Sequence, residues 1–312
     1  MNRLLVALLA AVIRVAERVG IERTLRGGRI FGRLWNALRL PRTARVRAQL
    51  RLAFPEATVA RRKQWQREVF EGLGQGLAEA VLMSGRHRSE LLSRMDVEGL
   101  DELAAAVERS GGRGAVLVGA HLGNWELAAA RLASLGLPVA AIYRGQRNAV
   151  LEQAIVTVRG GREPEAGEPS MQQIPMGRRA GIQFVRALEA GRHALVVLDQ
   201  RAHRDEGLEV SFFGHPARTR FGPLKLAERA GAPVLMALPR RHPDGRGHTL
   251  TIHPPLQLET GATDDEEVLR RNLQRVTAEI ERGIRETPGQ WIWTHRRWRV
   301  PATEEAARRE PA

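Results

Sequence analysis

The chain has 312 residues, of which 43% are hydrophobic and 27% are charged, a composition typical of a globular protein with a core. It contains no cysteine, which excludes disulfide bonds, thiolate metal sites and a cysteine nucleophile. The formal net charge is +14, and most of the excess lies in the first 67 residues, which carry sixteen basic and three acidic side chains. Such an asymmetry predicts an arm that meets a polyanion, and anionic lipid, nucleic acid and an acidic protein all fit on charge alone.

The N-terminal segment combines apolar and basic residues at helical spacing. The apolar run over 4–13 is only ten residues long, whereas a membrane-spanning helix needs about 20. A signal peptide is an alternative, but no convincing cleavage site follows the run. Phe31 and Trp35 continue the pattern among arginines. An apolar stripe with basic flanks is typical of a helix that lies in the membrane interface. We therefore predict a basic amphipathic membrane-associating arm over 1–40; the alternative is a helix packed on the protein's own core.

The rest of the chain alternates between strand-like and helix-like patterns. Apolar periodicity and glycine stops predict helices over 61–84, 101–109, 125–135, 178–190, 222–230 and 264–286. Short apolar runs predict strands over 115–120, 139–143, 193–198, 210–213, 233–238 and 248–252, the last near a sheet edge. The glycine- and proline-rich segment over 160–177 predicts a loop.

This alternation predicts the fold class α/β. We expect a single three-layer domain over 41–302, with a mostly parallel central sheet flanked by helices. The N-terminal amphipathic helical arm precedes it, and residues 303–312 form a tail that frays. In such sheets the functional site lies at the carboxyl ends of the strands, which directs attention to the residues that follow each predicted strand.

The sequence HLGNWE at 121–126 follows the predicted strand over 115–120. Histidine can take a proton from a hydroxyl near neutral pH, and a carboxylate on its other ring nitrogen selects the tautomer and stabilises the imidazolium. His121 and Glu126 are therefore a candidate catalytic pair, in which the hydroxyl oxygen attacks an acyl carbonyl directly. The alternative is a structural histidine followed by an acid that interacts favourably with a helix N-terminus.

Arginines and an acid follow two further predicted strands. Arg144 and Asn148 come after the strand over 139–143, while Asp199 and Arg201 come after the strand over 193–198. Arginine at strand ends suits phosphate, and the alternative is a solvated loop with surface ion pairs.

Several common activities lack their motifs. The acids and histidine near Asp199 match no metal-ligand spacing, so we predict no metal site and no cofactor. Serine-hydrolase, P-loop, dinucleotide-binding and zincin motifs are absent, and no helix-turn-helix, zinc finger or aromatic RNA-binding signature predicts a nucleic-acid partner.

Four sequence blocks occur in a specific order: HLGNWE, AIYRGQRN at 141–148, LDQRAHRDEGLEVSFFGHPARTRFGPLKLAERAGAPV at 198–234, and PGQWIWTHRRWR at 288–299. Together they resemble the late acyltransferases of lipid A biosynthesis (the lauroyl/myristoyl acyltransferase family), which includes mycobacterial phosphatidylinositol mannoside acyltransferases. The resemblance extends over about residues 30 to 300.

The resemblance implies that His121 and Glu126 are the catalytic H-x-x-x-x-D/E pair of that family. It also implies an acyl carrier protein thioester as donor, an anionic glycolipid as acceptor, and a place on the cytoplasmic face of the bacterial inner membrane. We expect attachment there to be peripheral or monotopic. We assign substrate binding to Asn124, Arg144, Asn148, Arg159, Asp199, Arg201 and Thr219. We expect the aromatic and arginine side chains of the C-terminal block to be structural.

The predicted function is therefore transfer of a fatty acyl chain from acyl carrier protein to a hydroxyl of a lipid A precursor. His121 is the general base, Glu126 orients it, and no covalent enzyme intermediate forms. Three alternatives stay open at this point. In the first, the acceptor is another lipid or glycolipid, such as a phosphatidylinositol mannoside, and the donor is acyl-CoA. In the second, the protein is a thioesterase. In the third, it is a non-catalytic lipid-binding protein in which HLGNWE is a structural turn.

Overall fold

A seven-stranded sheet forms the centre of the protein. The structure, a computed structural model, describes residues 2–38, 41–143 and 171–298. The strands of these residues are β1 (Met95–Glu98), β2 (Val116–Gly119), β3 (Val139–Tyr143), β4 (Gln172–Pro175), β5 (His193–Val197), β6 (Gly207–Phe212), β7 (His215–Arg220), β8 (Val234–Arg241) and β9 (His248–Pro255).

The sheet has the order β1-β9-β8-β2-β5-β3-β4, and β6 and β7 form a separate antiparallel hairpin. Strands β8, β2, β5, β3 and β4 all run parallel. β9 is antiparallel to β8, and β1 pairs with β9 in parallel at the edge. The predicted mostly parallel sheet is confirmed, and β9 lies one strand in from the edge.

Helices cover both faces of this sheet. They are α1 (Asn2–Val19), α2 (Ile21–Ala37), α3 (Pro41–Ala53), α4 (Val59–Met83), α5 (Arg88–Ser93), α6 (Leu100–Arg109), α7 (Trp125–Ser134), α8 (Ala180–Glu189), α9 (Gly222–Ala230) and α10 (Glu266–Glu286). Successive side chains of a strand point to opposite faces. Val116 and Val118 of β2 accordingly belong to the core cluster with α8, α9 and α10. Leu117 belongs to the cluster with α5, α6 and α7. The protein is therefore three-layered, as predicted.

Some elements lack a pattern that sequence reasoning could detect. Helices α3 and α5 and strands β1, β4 and β7 were not predicted. β4 contradicts the loop predicted over 160–177, of which residues 160–170 lie outside the described residues. Only Ile174 of this strand is buried, so it carries no alternation, and Pro175 is tolerated because β4 ends the sheet.

The predicted N-terminal arm consists of two helices that pack on the domain. α2 crosses α4 at very short distance, because glycines face each other there. A Cβ added to Gly32 would lie 2.0 Å from the carbonyl oxygen of Phe70, and one added to Gly74 would lie 2.1 Å from that of Gly28. Ile21 and Leu25 are buried in the interface. Part of the arm's apolar stripe is therefore used by the protein's own core. No helix within the described ranges is long and apolar enough to cross a membrane.

We expect Gly32→Ala to destabilise the protein by about 1–3 kcal/mol, the usual cost of overpacking, because the added methyl group collides with backbone atoms of α4. Gly27→Ala is the matched control on the same helix. Nothing lies within 4 Å of a Cβ at Gly27, so higher helix propensity should stabilise the protein by roughly 0.5–1 kcal/mol. Urea unfolding followed by circular dichroism measures both, and equal effects would contradict this packing.

Candidate active site

Strand register places His121 beside Asp199. In the parallel pair β2 and β5, Gly119 lies opposite Val197. His121 and Asp199 are each two residues beyond this pair, so they leave the sheet side by side. Nδ1 of His121 lies 2.7 Å from Oδ1 of Asp199. The backbone N–H of His121 donates to Oδ2 at 2.9 Å. One carboxylate therefore holds both the ring and the backbone of the histidine.

The C-terminal segment closes this arrangement from the other side. The indole N–H of Trp291 donates to Oδ2 of Asp199 at 2.6 Å. Backbone hydrogen bonds tie the two segments together: Ile292 N–H donates to the carbonyl of His121, and Gly123 N–H donates to that of Gln290. The chain turns at Gly123 with a φ of +53°, and a Cβ there would lie 2.6 Å from a carbonyl oxygen. The turn that carries His121 is thus fixed by its backbone.

The two groups are strongly coupled electrostatically. Burial by itself would raise the pKa of Asp199, but the charge and hydrogen bonds of His121, with the Trp291 hydrogen bond, lower this pKa to about 2. Burial would lower the pKa of His121, but the charge and hydrogen bond of Asp199 and the charge of Glu126 raise it above the ordinary value of a histidine. Asp199 is therefore ionised at neutral pH and holds a proton on Nδ1, which leaves Nε2 as the basic nitrogen.

The outer nitrogen of the histidine is surrounded by polar and aromatic groups. Nε2 of Gln200 lies 3.1 Å from Nε2 of His121. The indole of Trp125 meets the imidazole edge to face, with ring centroids 4.6 Å apart. The ring centroid of His295 lies 6.3 Å from that of His121. A histidine that holds its proton on Nδ1 against a buried carboxylate can accept a second proton on Nε2, so it can act as a general base.

A family model described as "Bacterial lipid A biosynthesis acyltransferase" matches residues 2–300. The chain belongs to this family. It is 28% identical to the lipid A biosynthesis palmitoleoyltransferase of Escherichia coli (strain K12), over 84% of this chain and 80% of the relative. It is 26% identical to the lipid A biosynthesis lauroyltransferase of the same organism, over 82% of this chain and 78% of the relative.

A third relative is named for a different substrate. The chain is 25% identical to the phosphatidylinositol mannoside acyltransferase of Mycobacterium tuberculosis (strain CDC 1551 / Oshkosh), over 75% of this chain and 70% of the relative. The resemblance inferred from the four blocks is confirmed, and the protein is an acyltransferase. The family therefore does not support the alternative of a non-catalytic lipid-binding protein.

Within this acyltransferase, the carboxylate on Nδ1 of His121 differs from the one that the sequence predicted. We expected Glu126, five residues along, to orient the ring. The structure shows Asp199 in that position, and Glu126 in the first turn of α7 adds a smaller charge effect on the pKa of His121. Strand register accounts for the difference, because neighbouring parallel strands place residues distant in sequence next to each other.

Asn124 was predicted to bind substrate, but its contacts are structural. Its side-chain oxygen caps α7 by accepting from Leu127 N–H at 2.9 Å, and its amide donates to Glu79 at 2.7 Å. Glu79 is fully buried in α4, where Arg241 donates to both of its oxygens and His248 lies 2.9 Å away. Burial would raise the pKa of Glu79, but these two partners lower it far below its ordinary range. This buried ionised cluster therefore supports the HLGNWE turn through the hydrogen bond from Asn124 to Glu79.

The remaining substrate-binding assignments have different outcomes. Thr219 lies in β7, fully buried, and its hydroxyl accepts a hydrogen bond from Arg297, so it supports that arginine. Arg201 is exposed, and its backbone pairs with Thr219. Asp199 was predicted to bind substrate, and its carboxylate lies against the imidazole of His121. Three further assigned residues lie outside the described residues: Arg144, Asn148 and Arg159.

Two residues at the site were missed. Trp291 belongs to the C-terminal block that we expected to be structural, and Gln200 follows Asp199 directly in the middle block. Only their membership of these blocks pointed to them, because neither side chain titrates. No group of three or more potential metal-binding side chains occurs in residues 2–38, 41–143 and 171–298.

The pKa of His121 provides a direct test of this geometry. We expect NMR titration of the imidazole in the wild type to give a pKa above the ordinary value of a histidine. Asp199→Asn should lower it more than Glu126→Gln, because Asp199 contributes both charge and a hydrogen bond whereas Glu126 contributes charge alone. His193, whose pKa is lowered by burial, is the internal control. A larger effect of Glu126→Gln would return the orienting role to Glu126.

Proposed function

We propose that this acyltransferase moves a fatty acyl chain from the thioester of acyl carrier protein to a hydroxyl of a lipid A precursor. The observation that supports it most is the His121–Asp199 pair at the carboxyl ends of β2 and β5, where ligands bind in parallel α/β sheets. A histidine held in one tautomer by a buried carboxylate is suited to removing a hydroxyl proton.

The proposed reaction requires one base and no enzyme nucleophile. Nε2 of His121 accepts the proton of the acceptor hydroxyl as the hydroxyl oxygen attacks the thioester carbonyl carbon. The tetrahedral intermediate then collapses, the carbon–sulfur bond breaks, and the thiolate takes the proton back from Nε2. Asp199 stabilises the imidazolium between these two steps, and Glu126 adds to this effect through its charge. The products are an ester and a free thiol.

The choice of acceptor is supported by the names of the relatives. Two of them are named lipid A biosynthesis palmitoleoyltransferase and lipid A biosynthesis lauroyltransferase. The phosphatidylinositol mannoside acyltransferase supports a second candidate acceptor, a related glycolipid. We propose acyl-CoA as the donor in that case. Both acceptors are anionic, which agrees with the basic N-terminal region. Arg144, Asn148 and Arg159 stay proposals for binding the acceptor, with Arg144 and Arg159 as first candidates for its phosphate or the developing oxyanion.

We propose that α1 and α2 attach the protein to the cytoplasmic face of the bacterial inner membrane. Both helices expose large apolar side chains, each 38–67% accessible, at Leu8, Val12, Val15, Val19, Ile30, Phe31, Leu34 and, just beyond α2, Leu38. Water-exposed apolar residues at helical spacing next to arginines are characteristic of an interfacial helix. Each basic residue near an anionic membrane surface adds about 1 kcal/mol of attraction. Attachment would then be peripheral or monotopic.

A transfer assay tests the reaction. Purified protein in detergent receives radiolabelled acyl carrier protein thioester and a Kdo-bearing lipid A precursor. We expect label in the lipid with wild type, and a loss of about 10²–10⁴-fold in kcat for His121→Ala, the usual contribution of a general base. Asp199→Asn should lower kcat more than Glu126→Gln does. His203→Ala, which changes an exposed histidine beyond β5, should retain wild-type activity.

The assay also separates the alternatives. Transfer that survives His121→Ala would overturn the general-base role. Label from acyl-CoA in a phosphatidylinositol mannoside, with none in the lipid A precursor, would select the second acceptor. Release of free fatty acid without acylated lipid would indicate a thioesterase.

Vesicle binding tests the membrane attachment. We expect the double variant Val12→Ser, Leu34→Ser to bind vesicles containing anionic lipid at least about tenfold more weakly, because two half-exposed apolar side chains no longer enter the interface. Ile182→Ser is the control, since Ile182, at 57%, is about as exposed as Leu34, at 60%, but lies on α8. An equal loss for the control, or none for the double variant, would argue against attachment through α1 and α2.

A further inference from the structure

One buried glutamine binds the backbone of the C-terminal segment at three points. Residues 292–297 belong to no helix or strand, so no sheet or helix ladder fixes their path. Gln49 of α3 is only 4% exposed. Its amide nitrogen donates to the carbonyl oxygens of Trp293 and His295, and its amide oxygen accepts from the N–H of Arg297 at 2.8 Å. Both ends of this one amide are therefore used by the same short segment.

Helix α3 holds this glutamine in a fixed place. Val46 and Leu50 of the same helix are fully buried in the main hydrophobic core. Arg45, four residues before the glutamine, adds a further bond by donating to the carbonyl of Thr294 at 2.9 Å. The path of the C-terminal segment is thus set by side chains of a helix that is itself anchored in the core.

The two residues at the start of this segment contact the proposed catalytic pair. The indole N–H of Trp291 donates to Asp199 at 2.6 Å, and the backbone N–H of Ile292 donates to the carbonyl of His121 at 3.0 Å. Both donors directly precede the first carbonyl that Gln49 binds. We propose that Gln49 is a positioning residue, which acts on the reaction by holding these two donors in place; this inference rests on the proposed acyl transfer.

Loss of the amide would move the segment. The carbonyl of Trp293 and the N–H of Arg297 bond to Gln49 in buried surroundings, and buried polar groups without partners are unfavourable. The segment would shift to find other partners and would carry the indole of Trp291 away from Asp199. A displacement of about 1 Å in a catalytic site can lower the rate by about 100-fold. The effect falls on kcat, because the displaced groups support the base.

A second reading of the same contacts is that Gln49 only stabilises the fold. Gln66 of α4 is the matched control for this reading. It is similarly buried, at 7%, and its amide donates to Asn36 of α2 at 2.7 Å, a bond that does not involve the C-terminal segment. Replacing either glutamine removes a buried hydrogen bond, but only the replacement of Gln49 should alter the chemistry.

The test compares Gln49→Ala and Gln49→Met with Gln66→Ala and Gln66→Met in the transfer assay. Methionine keeps most of the side-chain volume and removes the amide. We expect the Gln49 variants to lower kcat by about 10-fold to 100-fold while KM changes less than about threefold. The Gln66 variants should retain kcat within about threefold. Circular dichroism and urea unfolding confirm that each variant is folded under the assay conditions.

A spectroscopic readout follows the hydrogen bond itself. In the NMR spectrum, the indole N–H proton of Trp291 is assigned by its absence in Trp291→Phe. We expect it to move upfield in the Gln49 variants, because its bond to Asp199 weakens, and to stay in place in the Gln66 variants. The double variant Gln49→Met, Trp291→Phe should lose less kcat than the product of the two single losses, because both changes remove the same donor.

The outcomes separate this inference from the function on which it rests. An unchanged Trp291 resonance in the Gln49 variants, an equal loss of kcat in the Gln66 variants, or a double variant whose loss equals the product would each overturn the positioning role. If wild type transfers nothing to any lipid acceptor, the proposed function fails. The Trp291 resonance needs no substrate, so it would still show whether Gln49 holds the donor against Asp199.

Discussion

The site depends on the hydrogen bonds that the buried carboxylate of Asp199 accepts. It is fully buried, and an ionised carboxylate in such a place is strongly unfavourable unless its oxygens accept hydrogen bonds. His121 supplies two donors and Trp291 the third. Because these donors come from the ends of β2 and the C-terminal segment, satisfying one charge draws three parts of the chain together. The same contacts set the tautomer of the histidine. The hydrogen bonds that stabilise the site therefore also prepare His121 for the proposed reaction.

A second buried carboxylate supports the same turn from the opposite side. Glu79 of α4 binds Arg241 of β8 and His248 of β9, and it also accepts from Asn124, the cap of α7. Removing one partner of such a cluster typically costs about 3–5 kcal/mol, because a buried charge is left uncompensated. The helix that carries Glu79 also packs through glycines on α2. Rigid helix packing therefore connects the helices with exposed apolar faces to the turn that carries His121.

Sequence reasoning paired His121 with Glu126, whereas the structure has the carboxylate of Asp199 on Nδ1 of His121. Glu126 was the obvious candidate because it is close in the sequence and begins the helix after the strand. Asp199 is 78 positions away from His121, and only the parallel pairing of β2 with β5 makes them neighbours. The resemblance to a family gave Asp199 and Thr219 as matching residues, yet the first binds His121 and the second is buried against Arg297. Membership of a motif therefore did not reveal which atoms a side chain touches.

The sequence by itself determined the identity of most helices and strands, the α/β class, the amphipathic N-terminal helices and the family. These depend on local periodicity, on glycine and proline at the ends of elements, and on the order of short motifs. Tertiary structure alone decided that Asp199 meets His121, that Trp291 and Gln200 join them, and that Asn124 binds Glu79. It also decided which apolar faces of α1 and α2 are buried and which remain exposed. The physical reason is that strand register, helix packing and the pairing of buried charges join residues whose distance along the chain carries no information about their contact.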